Sequence, residues 1–181
     1  HPGLVFDGVV RTWAELEGRI ARAAAGLRAL GLQRGDRVAV LSENNAAFFE
    51  LSWAAPWADL IMASLNTRWA VPEMAAALDD CGASVLLADA SFAERARELK
   101  AQCAGVSCLV FLGPEHEAAS GFHAYEGLVD EHAPIADQCR GGDEVVHLFY
   151  TSGTTGRPKG VMLTAANIFS AGLMIASPFA L

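Results

Sequence analysis

Short apolar runs alternate with helix-like stretches along most of this chain, and that alternation constrains the fold more than any other feature. The runs are Arg37-Val38-Ala39-Val40-Leu41, Leu60 to Leu65, Ser84 to Ala88, Cys108 to Leu112 and Val145 to Tyr150. Runs of this length, bounded by turn residues, read as strands buried on both faces. A further strand is predicted at Leu4-Val5-Phe6. Between the runs lie helix patterns. Thr12-Trp13-Ala14-Glu15 is a capping box with Thr12 as N-cap. Trp13, Leu16, Ile20, Ala24, Leu27 and Leu30 then recur three and four apart, which predicts one buried helix face, and Gly31 ends the helix. A second helix is predicted from about Asn45 to Trp57, bent or ended by Pro56. Pro72 opens a third, through Leu78. Ser91 and Glu94 form another capping box, opening a fourth helix with Phe92, Leu99 and Cys103 inward. A short fifth helix covers His123 to Asp130, and Pro134 to Gly142 reads as a loop. The whole pattern predicts an α/β fold: a largely parallel sheet with helices on both faces. Ligands of such sheets bind beyond the carboxyl ends of the strands.

Composition narrows the function classes. A chain of 181 residues is one domain or a large piece of one, and its 52% hydrophobic content supplies a core. The formal charge is −8 and the 13 basic residues are scattered, which argues against a nucleic-acid surface. The apolar stretch Trp53 to Leu65 is interrupted by Pro56 and Asp59, and Ile168 to Leu181 is short and contains Pro178. Neither reads as a transmembrane helix, so membrane contact, if any, is peripheral. No cationic stretch followed by an apolar one marks a secretory signal. Cys81, Cys103, Cys108 and Cys139 fit no zinc spacing and read as reduced structural thiols in the cytoplasm. His147, in the strand before the loop described next, reads as a core histidine rather than a catalytic base.

The chemistry is concentrated in Tyr150-Thr151-Ser152-Gly153-Thr154-Thr155-Gly156-Arg157-Pro158-Lys159-Gly160, a polar loop between Val145–Tyr150 and the apolar run Val161-Met162-Leu163. Glycines let the backbone approach an anion and adopt positive φ. Free N–H groups and the hydroxyls of Thr151, Ser152, Thr154 and Thr155 offer a ring of donors. Lys159 adds a point charge, and Pro158 stiffens the chain before it. The candidate phosphate-binding set is therefore Thr151, Ser152, Gly153, Thr154, Thr155, Gly156 and Lys159. The loop is not the P-loop of the NTPases, which needs Gly-Lys-Ser/Thr where this chain has Pro158-Lys159-Gly160.

This stretch resembles, without a break, the phosphate-binding signature of the adenylate-forming enzymes, the acyl-CoA synthetase or AMP-binding family. Thr12-Trp13-Ala14-Glu15-Leu16, Gly35-Asp36-Arg37-Val38-Ala39-Val40-Leu41 and Leu65-Asn66-Thr67-Arg68 resemble further landmarks of that family's N-terminal domain, in the same order, and read as scaffold. One position departs: the family often has histidine after Leu-Thr, and here Ala165 follows Leu163-Thr164.

The resemblance implies that residues 1–181 are part of an N-terminal AMP-binding domain. It also implies that the rest of the enzyme, with its C-terminal domain, lies outside this chain. The implied activity is ATP-dependent ligation of a carboxylic acid to coenzyme A through an acyl-adenylate, assisted by Mg²⁺. The implied partners are the acid, ATP and CoA. The metal, ribose and late-lysine groups of the family have no counterpart here, so the catalytic residues are expected beyond Leu181 and the chain alone is expected to be inactive. Gly153-Thr154-Thr155-Gly156 is closer to acyl- and aryl-CoA synthetases than to peptide-synthetase adenylation domains, which more often carry Gly-Ser-Thr-Gly. That second class, and a non-catalytic nucleotide-binding module, stay open as alternatives. The apolar tail from Ile168 to Leu181 reads as a core helix, with a wall of the acyl pocket as the other reading.

Overall fold

The computed structural model describes residues 1–114, 120–152 and 158–176, with residues 175 and 176 described through the backbone alone. The chain opens with an antiparallel hairpin of β1 (Pro2–Phe6) and β2 (Val9–Thr12). Asp7 and Gly8 join them, both at positive φ, 47° and 77°, as a two-residue turn matching strand twist requires. The sequence pattern had suggested the first of these strands but not the second, because Val9 to Thr12 is too short to show alternation.

Helices and strands then alternate as expected: α1 (Trp13–Ala29), β3 (Arg37–Leu41), α2 (Ala46–Trp57), β4 (Ile61–Ser64), α3 (Val71–Cys81), β5 (Val85–Ala88), α4 (Ala93–Gln102) and β6 (Cys108–Phe111). They are followed by β7 (His123–Ala124), α5 (Tyr125–Asp130), β8 (Val145–Ser152), β9 (Pro158–Thr164) and α6 (Ala165–Ala176). Among the described residues, β3 to β9 form one sheet in the order β7-β6-β5-β3-β4-β8-β9. Every neighbouring pair is parallel except β8 with β9. The predicted α/β fold with a largely parallel, doubly covered sheet is what the chain adopts.

Period-two alternation sorts the strands' side chains onto two cores. Val38, Val40, Met62, Val85, Leu87 and Val110 meet α1, α2 and α5. Ala39, Leu41, Ala63, Leu86, Ala88 and Leu109 meet α3 and α4. The first face closes tightly. Gly26 of α1 sits against α5, where an added Cβ would lie 2.7 Å from Leu128 Cβ and 2.9 Å from its carbonyl oxygen. Backbone cannot yield as a flexible side chain does. Gly26→Ala is therefore expected to lose about 1–3 kcal/mol of stability by overpacking, exceeding the roughly 1 kcal/mol helix-propensity gain. Urea unfolding checks this, and a stabilised variant would refute the close-approach argument.

A buried ionic network crosses the same face. Glu50 is fully buried. It takes Arg11 at 3.0 Å, Arg19 at 2.8 Å and the Tyr125 hydroxyl at 2.9 Å. Arg19 also bridges to Glu126 at 2.8 Å. Burial works to lower the pKa of Arg19, but its bonds to Glu50 and Glu126 outweigh burial and raise it. Burial, with the Glu50 charge beside it, keeps Tyr125 protonated as a donor.

The long connection before β8 is pinned at the amino-terminal edge of the sheet. Arg140 pairs with Asp59 and donates from Nε to the Val145 carbonyl at 2.7 Å. Trp57 Nε1 donates to the Ile135 carbonyl at 2.9 Å. These bonds hold the loop from Pro134 to Gly142 and set where β8 begins.

Several local expectations are corrected. Trp13 is 61% exposed rather than inward, and its ring lies over Gly3 of the hairpin. α2 keeps its expected bounds, capped by Asn45 and ending at Trp57 with Pro56 in its last turn. Ser91 caps nothing: Asp89 accepts from the Ser91 N–H at 2.9 Å, and α4 starts after Phe92 without a side-chain cap. His123 and Ala124 pair with β6 as a short strand, so the fifth helix begins at Tyr125. Within this chain α6 is exposed rather than packed in the core: Phe169, Leu173 and Met174 are 69%, 56% and 75% exposed, and residues 177–181 of the apolar tail lie outside the described residues.

Candidate functional site

Two places on the carboxyl edge of the sheet qualify as topological switch points, where chain connections diverge. One lies between β3 and β5. It is closed by Asp89, whose carboxylate accepts from Ser42 Oγ at 2.9 Å and from the Glu43 N–H at 2.8 Å. Asn45 donates to Ser42 Oγ at 2.9 Å and caps α2 by accepting from the Phe48 N–H, also at 2.9 Å. The second lies between β4 and β8, and the glycine-rich motif leaves the sheet there.

Register fixes the two ends of that motif. In the antiparallel β8–β9 pair, Tyr150 faces Gly160, Thr151 faces Lys159 and Ser152 faces Pro158. The directly opposed side chains of Thr151 and Lys159 stand on one face, with Cβ atoms about 5 Å apart by strand geometry. Both are exposed, as is Ser152. Among the described residues, no carboxylate pairs with Lys159. The structure thus brings Thr151, Ser152 and Lys159 of the expected set together at the carboxyl edge. Gly153, Thr154, Thr155 and Gly156 lie outside the described residues.

Beside this edge, the Leu65-Asn66-Thr67-Arg68 segment folds on itself, in keeping with a scaffold role. Asn66 Oδ1 accepts from the Arg68 N–H at 3.0 Å, and Arg95 donates to the Thr67 carbonyl at 3.2 Å. The residue that sequence reasoning missed is Asp80. It stands at the end of α3 and accepts from the Tyr150 hydroxyl at 2.6 Å. No local signal could have shown it, because the two are 70 positions apart. Burial first, and the bond to Asp80 second, push the Tyr150 hydroxyl well above its ordinary pKa, so it stays a donor.

His147 lies beneath α2, 8% exposed, with Nε2 3.0 Å from the Ser52 carbonyl. A carbonyl only accepts, so Nε2 carries the proton and Nδ1, without a partner among the described residues, is the lone-pair nitrogen. Burial lowers its pKa. The unfolded state binds the proton more readily, so the stability contributed is full above the unfolded pKa of about 6.5 and falls as pH drops toward the folded value. His147→Gln should flatten that acid-side loss. Thermal melts of both forms from neutral to acidic pH check it, and parallel curves would contradict the assignment.

His147 also floors a groove of about 590 Å³ between α2 and α6, walled by Trp53, Trp57, Phe169 and Leu173. The groove is apolar and lies toward the amino-terminal half of β8, away from Thr151 and Lys159.

The described residues thus form a largely parallel α/β sheet with an exposed hairpin that carries Thr151, Ser152 and Lys159 at its carboxyl edge. The chain belongs to the AMP-binding enzyme family, whose model matches residues 1–179. A feruloyl-CoA synthase of Amycolatopsis sp is 44% identical over 89% of this chain and 30% of its own length. Among solved structures, a putative long-chain-fatty-acid CoA ligase from Rhodopseudomonas palustris CGA009 aligns with a TM-score of 0.85 at 26% identity, over 97% of this chain and 43% of that one. ATP-bound MatB from Rhodopseudomonas palustris aligns with a TM-score of 0.78 at 31% identity, over 94% of this chain and 33% of that one. The chain therefore spans between 30% and 43% of the length of these relatives.

Proposed function

We propose that this chain carries the phosphate-binding hairpin of an ATP-dependent carboxylic acid–CoA ligase. The observation that carries this reading is the β8–β9 register, which sets Thr151 beside Lys159 at the carboxyl edge of the sheet. ATP presents several negative charges, and pyrophosphate must leave. Lys159 and the hydroxyls of Thr151 and Ser152, with the loop from Gly153 to Gly156, would hold the β- and γ-phosphates. In the first step a carboxylate oxygen bonds to the α-phosphorus and the bond to pyrophosphate breaks. In the second a thiol sulfur bonds to the acyl carbon, AMP leaves, and the thiol proton passes to solvent. The hairpin's contribution is positioning and charge neutralisation.

Among the described residues there is no cluster of three His, Cys, Asp or Glu side chains able to ligate a metal. The Mg²⁺ implied by the family resemblance would be held chiefly by the nucleotide phosphates, since such an ion needs only one or two protein carboxylates. The ribose, metal and late-lysine groups are proposed to come from residues beyond Leu181. The four cysteines, all free thiols, are in keeping with a reducing, cytoplasmic setting. No helix among the described residues is long and apolar enough to cross a membrane.

The test is carboxylate-dependent exchange of pyrophosphate into ATP by the full-length protein, followed by CoA thioester formation. Ferulate and long-chain fatty acids head the substrate panel, because relatives are named for them. Exchange with one of these acids and a CoA product is the expected outcome. Amino-acid-dependent exchange would favour a peptide-synthetase type of adenylation. ATP binding without exchange would favour a non-catalytic nucleotide-binding module.

A further inference from the structure

Tyr150 turns its side chain away from the face that carries Thr151 and Lys159. It packs, 7% exposed, in the core under α3 with Leu148 and Cys81. Its hydroxyl donates to Asp80 at 2.6 Å. Its ring lies across Gly160 on the partner strand: an added Cβ there would meet Tyr150 Cζ at 3.1 Å and both Cε1 and the hydroxyl oxygen at 3.3 Å. One side chain thus ties three elements: the strand entering the loop, the strand leaving it, and the end of α3. A glycine covered by a cross-strand aromatic ring is a device that pins register. Register matters here because a slip of one residue sends every side chain of the strand to the opposite face.

We propose that Asp80, acting through the Tyr150 hydroxyl, is a positioning residue for the phosphate-binding groups Thr151 and Lys159. It does not itself touch nucleotide. Its carboxylate holds the Tyr150 ring over Gly160, and the ring holds β9 in the register that sets Lys159 beside Thr151. The inference rests on the ligase reading for its nucleotide half and on geometry alone for its hairpin half.

The experiment uses the full-length protein as wild type, Asp80→Ala, Asp80→Asn, Tyr150→Phe, and the Asp80→Ala/Tyr150→Phe pair. Hydrogen exchange of the β8 and β9 amides is measured without nucleotide. KM for ATP and kcat are measured by acid-dependent pyrophosphate exchange. Asp80→Ala and Tyr150→Phe should each speed exchange in the hairpin and raise KM for ATP roughly five- to tenfold, with little change in kcat. The pair should be no worse than either single variant, because both remove one interaction. Asp80→Asn, whose amide oxygen still accepts from Tyr150, should behave as wild type. Hairpin exchange unchanged in Asp80→Ala overturns the lock. Faster exchange with an unaltered KM overturns positioning and leaves a structural bond. A wild type with no ATP-dependent activity overturns the ligase reading, and with it the nucleotide half, while the exchange data still decide the hairpin half.

Discussion

Lys159→Ala in the full-length protein will lower kcat/KM for ATP by about ten- to a hundredfold or more, with the fold intact. A charge-assisted phosphate contact is worth roughly 1.5–3 kcal/mol, which converts to that range. Lys159 is exposed in β9, so truncation removes little packing. The substitution also leaves the β8–β9 register alone, because Tyr150 and Gly160 make their contact on the other face. Steady-state kinetics with varied ATP, beside a thermal melt, check both halves. Wild-type kinetics would show that Lys159 is not a phosphate ligand.

Glu50→Ala should be the most destabilising of the substitutions considered. It removes the shared carboxylate of Arg11, Arg19 and the Tyr125 hydroxyl, leaving Arg19 with Glu126 alone in a largely buried place. Breaking a buried ion pair on one side costs about 3–5 kcal/mol, because the partner charge stays buried and unmatched. For a domain of this size that is a fall in Tm of about 6–20 °C. The Arg11 contribution is smaller, since that side chain is partly exposed and solvent screens it. Denaturant unfolding gives the free-energy loss directly. A loss under about 1 kcal/mol would mean the arginines find other partners or water.

The fold was legible because its signals are local. Apolar runs such as Val38 to Leu41 and Val85 to Ala88 are strands wherever a doubly covered sheet exists, and Thr12 with Glu15 forms the predicted box, the Thr12 N–H donating to Glu15 at 2.7 Å. Where two local readings competed, tertiary context decided. Ser91 and Glu94 spell a capping box, but Asp89 reaches the Ser91 N–H first and tightens the start into a 3-10 turn. His123 and Ala124 could begin a helix, but the edge of β6 offers them strand pairing. Trp13 keeps helical spacing with Leu16, yet it is exposed, with the hairpin glycine Gly3 against its ring. The candidate site divides in the same way. Thr151, Ser152 and Lys159 are readable from the motif, whereas Asp80 and the plug made by Asp89 arise only when distant segments meet.

The antiparallel pairing of β8 and β9 decides what can stabilise an anion at the motif. In many α/β sites the phosphate loop leads straight into a helix, whose macrodipole adds a partial positive charge. Here the chain leaves the loop as a strand. The helix that follows begins at the far edge of the sheet, where the Ala165 N–H donates to the Glu144 carbonyl at 3.0 Å. Among the described residues the motif is followed by a strand rather than a helix, and the exposed Lys159 ammonium stands there beside the hydroxyls of Thr151 and Ser152. An exposed ammonium is screened by salt within about 10 Å at 0.1 M ionic strength. Nucleotide affinity in this molecule should therefore weaken with added salt.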